Sequence, residues 1–562
     1  MAPHRTSRPT PNAARLLVDC LIEQGCDRIF TVPGESFLPV LDALHGETHI
    51  NVVTCRQEGG AAFMACADGA MTQRPGVCFV TRGPGATNAS IGVHVAMQDS
   101  QPMILFVGDV DSQMRDREGF QELDFAAFFG PACKWAARID SAARIPEYIA
   151  RAYATAISGR PGPVVLALPE DMLGEDVEGT PRPRIERPAQ APCPDTMLAL
   201  MAMIGDAASP VAIVGGAGWN AKARAHFQLF AERIGLPVAT AFRRQDAISP
   251  ASSVYAGNLG YGPNPKLVER VRNADLVLAV GARLGEATTD GYTLPPPVSR
   301  DCRLIHVHPD PEELNRVYRT DLAICASTDE FAESAALWDE GDVIPFDAGA
   351  VAHAEWDDWA TARPDNKYPL DLAACVQFMR DTLPADTIIC NGAGNFSGWW
   401  HRYWRYEGYP SQLAPTAGAM GFGVPAAVAA ALRYPERTVV AVAGDGDFLM
   451  NGQELASAVQ HGCDMIVIVV DNSAYGTIRM HQEREFPERV SATQLNNPDF
   501  AKLGKAFGGW STTATTTEEF RDALSGAVGR MGLRLIHCRI DIEQLAASGT
   551  TVSGLRGAGK KH

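Results

Sequence analysis

The sequence predicts an α/β protein of three doubly wound parallel-sheet domains, and three observations carry that reading. Short continuous apolar runs recur along the chain, each followed by a Gly-rich turn; such runs are strands buried on both faces. They alternate with Ala-rich helical stretches, which is the order of βαβ units. At 562 residues the chain is also too long for one core, because single cores stop growing at roughly 250–300 residues.

Taken in order, the first block is expected to hold strands at Ile50–Cys55, Val77–Thr81, Met103–Gly108 and Val164–Leu168. A proline-dense stretch, Gly179–Pro194, has no apolar period and reads as a linker. The second block offers strands at Val211–Gly215, Leu276–Gly281 and Leu304–His308. Residues from Gly341 to Pro369 show no sustained helical or alternating period and are expected to form a weaker boundary. The third block offers strands at Thr387–Cys390, Val439–Gly444, Met465–Asp471 and Leu535–Arg539. The expected domains are therefore 1–180, 195–345 and 368–550.

Composition excludes several classes. With 49 Lys and Arg against 66 Asp and Glu, the formal charge is −17, which argues against binding to nucleic acid or an anionic membrane. The 13 Cys form no C-x-x-C pair and sit mostly in apolar segments, as small buried hydrophobes in a reducing compartment do. No apolar leader opens the chain and no run of 18 apolar residues occurs, so a cytoplasmic protein is expected.

The most informative segment runs from Val439 to Ile478. Two hydrophobic strands end in oxygen-bearing side chains, Asp445 and Asn472, and ligands of open α/β sheets sit beyond the carboxyl ends of strands. A carboxylate, an amide oxygen and a main-chain carbonyl are hard donors suited to Mg²⁺, which completes its shell with water and phosphate oxygens. Gly446 and Asp447 open the following helix, where free N–H groups can receive those phosphates. A bare Gly-Asp-Gly can equally be a plain turn.

The Val439–Ile478 segment resembles the motif of the thiamine diphosphate-dependent enzymes, which begins Gly-Asp-Gly and ends Asn-Asn; here Asp471 replaces the first Asn and Asn472 is the second. The resemblance implies that Asp445, Asn472 and the carbonyl of Ala474 bind Mg²⁺. It implies that the Asn391–Phe396 turn holds the diphosphate through Gly394, Asn395 and Phe396. In Ala417–Gly423, Met420 would prop the cofactor into a bent shape and the Gly418 carbonyl would accept a hydrogen bond from it. Without the family, Met420 reads as core filling.

In the first block, Arg56-Gln57-Glu58-Gly59-Gly60-Ala61-Ala62 begins a helix whose small residues permit close approach to a neighbour. Glu58 is either a solvated helix-start acid or, by the same resemblance, the carboxylate that contacts N1′ of the aminopyrimidine. Thr81–Asn88, Ala96–Pro102 and Glu118–Asp124 are similar to acetolactate synthases of the large catalytic subunit type. Phe120 and Gln121 then border the reacting centre. Arg82 stands where those enzymes usually carry Ser, placed either to hold a substrate carboxylate or to form a subunit salt bridge. His481 stands at the position of a Trp that favours a larger acceptor.

The resemblance further implies a carboligase that decarboxylates a 2-oxo acid and joins the remainder to a second carbonyl compound, with a non-oxidative decarboxylase or C–C lyase as the alternative. It implies a homodimer or homotetramer, with Glu58 and Asp445 serving one site from two chains. Acetolactate synthases also hold FAD, but the segment Gly281–Thr288 keeps only Arg283 of their Arg-Phe-Asp-Asp-Arg pattern, which speaks against FAD. The Gly215–Gly218 turn suggests a nucleotide site no more than it suggests a tight turn. An NAD-dependent dehydrogenase would need a full G-x-G-x-x-G and an acidic ribose ligand, neither of which is present.

Overall fold

The computed structural model describes residues 12–296, 301–338, 346–363 and 367–559. The N-terminal segment before Asn12, part of the 341–369 stretch and the last three residues lie outside it. The chain divides into two compact units, Met1–Pro188 and Ala189–His562.

The first unit carries one six-stranded sheet of β1 (Arg28–Thr31), β2 (Asn51–Thr54), β3 (Gly76–Val80), β4 (Met103–Asp109), β5 (Trp135–Arg138) and β6 (Pro163–Pro169). The order is β2-β1-β3-β4-β6-β5, all parallel. Every residue of β3, β4 and β6 is buried, which is why these three read as unbroken apolar runs. Phe79 stacks on Phe106 at 4.5 Å across the β3–β4 pair. Helix Glu58–Thr72 lies against helix Gly83–Asp99, and the contact needs small residues: a Cβ on Gly92 would fall 2.3 Å from that of Ala62.

The second unit carries two more sheets. One comprises β7 (Pro210–Val214), β8 (Val238–Thr240), β9 (Tyr255–Asn258), β10 (Leu276–Val280), β11 (Arg303–His308) and β12 (Leu322–Cys325), ordered β12-β11-β10-β7-β8-β9. The other comprises β13 (Ile388–Asn391), β14 (Gln412–Leu413), β15 (Val439–Gly444), β16 (Met465–Asp471), β17 (Trp510–Ala514) and β18 (Leu533–Arg539), ordered β14-β13-β15-β16-β18-β17. Both are parallel throughout. The expected α/β class with three parallel sheets is thus what the chain forms.

The stretch expected to be irregular after Gly341 contains a helix, Ala348–Trp359. Its Trp356 ring meets Tyr255 of β9 edge-on at 4.5 Å, inside the core of the central sheet. The aromatic anchors, not a regular period, hold this helix in place. The central and third sheets are joined by polar contacts: Asp246 accepts N–H groups from Ser411 (3.0 Å) and Gln412 (3.2 Å), and Gln245 N–H meets the Gln412 side chain at 2.7 Å. All 13 Cys are free thiols; most are buried as expected, but Cys193 and Cys325 are exposed. No described helix is long and apolar enough to cross a membrane.

Candidate active site

In the third sheet the chain leaves β13 toward β14 on one side and β15 toward β16 on the other, so the strand order reverses between β13 and β15. The turns beyond such a reversal splay apart and leave a crevice at the carboxyl ends of the strands. A cavity of about 240 Å³ lies at this place. Three stretches far apart in sequence line it: Gly394, Asn395 and Phe396 after β13, Gly418 and Met420 from the loop before helix Gly423–Arg433, and Asp445, Gly446 and Asp447 after β15. Asn472 and Ala474 after β16 complete the set. Trp399, Tyr475, Ile540 and Leu545 add apolar wall.

The oxygen donors converge on Ala474. Its N–H donates to Asp445 Oδ2 at 3.2 Å and to Asn472 Oδ1 at 3.1 Å. Gly446 N–H donates to Asp445 Oδ1 at 3.0 Å, so that group faces the carboxylate it follows. Burial raises the Asp445 carboxyl above the usual range even though the Asn497 amide bonds to it at 2.7 Å. A carboxylate held in this way gains from a divalent cation. Among the described residues no three His, Cys, Asp or Glu gather as a metal cluster, so a cation here would rest on one carboxylate and neutral oxygens, the mixture Mg²⁺ accepts.

Asp471, the residue that replaces an Asn of the motif, is absent from the cavity lining but lies beside Asp445. Burial works to raise its carboxyl, but bonds from His537 Nε2 (2.9 Å), Ser473 N–H (2.9 Å) and Asn497 (2.9 Å) outweigh it and hold the group low. Asn497 therefore bridges Asp445 and Asp471. Asp447, also part of the lining, is held by backbone N–H groups. Its Oδ1 accepts N–H groups from Ala393 (3.2 Å) and Gly421 (2.8 Å), and burial pushes the carboxyl up to about 7. Thr477, on helix Gly476–Glu485, bonds Asn395 Oδ1 at 2.9 Å and accepts the Asn395 N–H at 3.0 Å. His481 lies one turn further on, exposed and outside the cavity lining.

In the first unit Glu58 is the first residue of helix Glu58–Thr72, half-buried, and accepts a bond from Asn88 Nδ2 at 2.9 Å. Gln57 caps this helix by accepting Gly60 N–H at 3.0 Å. Within this unit Arg82 pairs with Glu170 and donates to the Phe120 carbonyl at 3.3 Å. Gly83 N–H donates to the Gln121 carbonyl at 2.9 Å, so residues 82 and 83 together hold the Phe120–Gln121 turn. The Phe120 side chain is 72% exposed, and Gln121 lines a separate cavity of about 650 Å³ with Asp109 and Arg138.

In the central sheet the reversal falls between β7 and β10. There the glycines serve turn packing: a Cβ on Gly216 would lie 1.9 Å from the Gly281 carbonyl oxygen. Arg283 is engaged by buried Glu313 at 3.3 Å, which also holds Arg316 at 2.9 Å.

Sequence reasoning missed Asn88, Asn451, Asn497 and His537. Asn88 ends the Thr81–Asn88 segment, yet nothing in its spacing marks it as the partner of Glu58. Asn497 lies in a polar loop 52 residues beyond Asp445, and only strand register brings His537 beside β16, where it pairs with Val469.

Comparison with known proteins covers all three blocks. Residues 11–128 match the family model "thiamine pyrophosphate enzyme, N-terminal TPP binding domain", residues 197–334 its central domain, and residues 392–538 its C-terminal TPP binding domain. The acetolactate synthase large subunit of Corynebacterium glutamicum is 31% identical over 535 residues, 92% of this chain and 84% of that protein. The acetolactate synthase isozyme 2 large subunit of Escherichia coli is 30% identical over 536 residues, covering 94% and 96%. The acetolactate synthase of Bacillus subtilis is 28% identical over 553 residues, covering 94% and 93%.

Proposed function

This chain belongs to the thiamine pyrophosphate enzyme family, and on that footing we propose that it is a Mg²⁺-dependent carboligase. It would decarboxylate a 2-oxo acid and join the remainder to a second carbonyl compound. The observation that supports this reading is the gathering of three distant segments, 394–396, 418–420 and 445–474, around one cavity at the strand reversal. When bound, thiamine diphosphate supplies a carbon nucleophile and an electron sink for CO₂ loss.

The residues divide the remaining work. Asp445, Asn472 and the Ala474 carbonyl hold the cation, whose charge the two phosphates need. Gly394, Asn395, Phe396 and Gly446 line the diphosphate end, with Asn395 kept in place by Thr477. Gly418 and Met420 meet the rest of the cofactor. Glu58, oriented by Asn88, exchanges a proton with the pyrimidine ring nitrogen N1′. Phe120 and Gln121 border the substrate, and His481 belongs to acceptor choice. Arg82, already paired with Glu170, steadies the Phe120–Gln121 turn. Flavin has no part in this reading, because Gly281–Thr288 keeps only Arg283 of the Arg-Phe-Asp-Asp-Arg pattern.

Three domains at 1–180, 195–345 and 368–550 and a homodimer or homotetramer complete the proposal. The test is a panel of 2-oxo acids supplied with and without a second carbonyl compound, with CO₂ and product followed together. A 2-hydroxy ketone formed in step with CO₂ is the expected result. Free aldehyde in its place would make the protein a decarboxylase, and failure to bind thiamine diphosphate with Mg²⁺ would overturn the reading altogether.

A further inference from the structure

The loop that carries Gly418 and Met420 is fastened at both ends. At its start, Pro415 and Ala414 give their carbonyls to the guanidinium groups of Arg243 (2.5 Å) and Arg244 (3.4 Å). At its end is Gly421, in the left-handed region at φ +80°, where a side chain would be strained. Both polar groups of Gly421 are taken by one short helix, Asp445–Asn451. Its N–H donates to Asp447 Oδ1 at 2.8 Å, and its carbonyl accepts from Asn451 Nδ2 at 3.1 Å.

Asp447 and Asn451 are four residues apart, on one face of that helix, and only 3% and 6% exposed. The Asn451 amide is set by Gln453, whose Nε2 donates to Asn451 Oδ1 at 3.2 Å. The same Asp447 oxygen also takes the Ala393 N–H at 3.2 Å. One helix thus joins the turn after β13, the loop of Met420 and the Asp445 carboxylate.

We propose that Asp447 and Asn451 are positioning residues that fix where Met420 stands relative to Asp445. The inference rests on the reading of this cavity as the thiamine diphosphate site. With the Gly421 N–H and C=O both held, the two peptide units that flank its Cα are restrained from rotating, and Met420, one residue earlier, is kept at the cavity it lines. The residues that would hold the metal end of the ligand and those that would meet its rings are then set by one rigid piece of backbone.

Asn451→Ala and the same-sized Asn451→Asp both remove the donor to the Gly421 carbonyl, and the second serves if the first fails to fold. In each, two measurements are made on cofactor-free protein: amide hydrogen exchange of the peptide spanning 414–422, and titration with thiamine diphosphate or with methyl diphosphate in the presence of Mg²⁺. The expected result is faster exchange in that peptide and a loss of about tenfold in thiamine diphosphate affinity, the size of one lost bond. Methyl diphosphate, which has no rings for Met420 to meet, keeps its affinity. Equal loss of both ligands, or no change in either exchange or affinity, overturns the proposal. Wild-type protein that binds thiamine diphosphate no better than methyl diphosphate overturns the reading of the site instead.

Discussion

Replacing Glu58 by Gln will slow proton exchange at C2 of bound thiamine diphosphate far more than it weakens binding. The Gln amide oxygen can still accept the Asn88 bond, which spans 2.9 Å in the wild type. What the fold loses is an acid in the first helical turn, about 0.3–1 kcal/mol. Cofactor affinity loses at most one hydrogen bond to a charged group, about 1.5–3 kcal/mol, and less if the amide N–H donates to the ring in its place. A neutral amide cannot exchange a proton, however, so general acid–base help worth ~10²–10⁴-fold disappears. Quenched-flow NMR of the C2 proton measures the rate, and calorimetric titration with Mg²⁺ measures the affinity, on the same protein. Exchange as fast in Glu58→Gln as in wild type would show that Glu58 is only a helix-start carboxylate, and the activation assigned to it would be wrong.

Asp445→Ala will leave a folded protein that no longer retains thiamine diphosphate, because the two phosphates lose the cation between them; unchanged Mg²⁺-dependent affinity would refute the metal assignment. Mixing Glu58→Gln chains with Asp445→Ala chains will restore part of the activity if two chains build one site, and verified heterodimers with no rescue would count against it. Burial holds His401 neutral and lowers it to about 3, with Arg243 adding repulsion. Its folded value lies below the unfolded one, so the stability it contributes above pH 6.5 is lost as pH falls, at about 1.4 kcal/mol per unit. Between pH 6.5 and 5 the urea stability of wild type will therefore fall about 2 kcal/mol more than that of His401→Asn; parallel curves would show the ring to be solvated.

The buried strands were legible because their burial is continuous: β4, β6, β15 and β16 are covered along their whole length and read as unbroken apolar runs. The strands that escaped are mostly outermost ones. β5, β12 and β17 are only partly covered, so their residues mix freely, and β14 has two residues, too few to show any period. The same contrast holds at the site. Asp445, Asn472 and Met420 sit in local patterns, and the structure brings them to one cavity. Asn451 and Asn497 act through bonds to residues 30 and 52 positions away, a distance over which sequence spacing carries no signal. Arg82 stands out in its segment as a cation, but its partner Glu170 is 88 residues off.

The contact of Gln245 and Asp246 with β14 has a consequence for solubility. β14 closes one side of the third sheet, and an outermost strand with free N–H groups is a template on which another chain can pair. Here the Ser411 and Gln412 N–H groups are occupied by Asp246 of the central block. The central block thus acts as a stopper against polymerisation, independent of any ligand it holds. A fragment beginning near residue 368 would carry the whole third sheet with that border uncovered, and would aggregate more readily than the full chain.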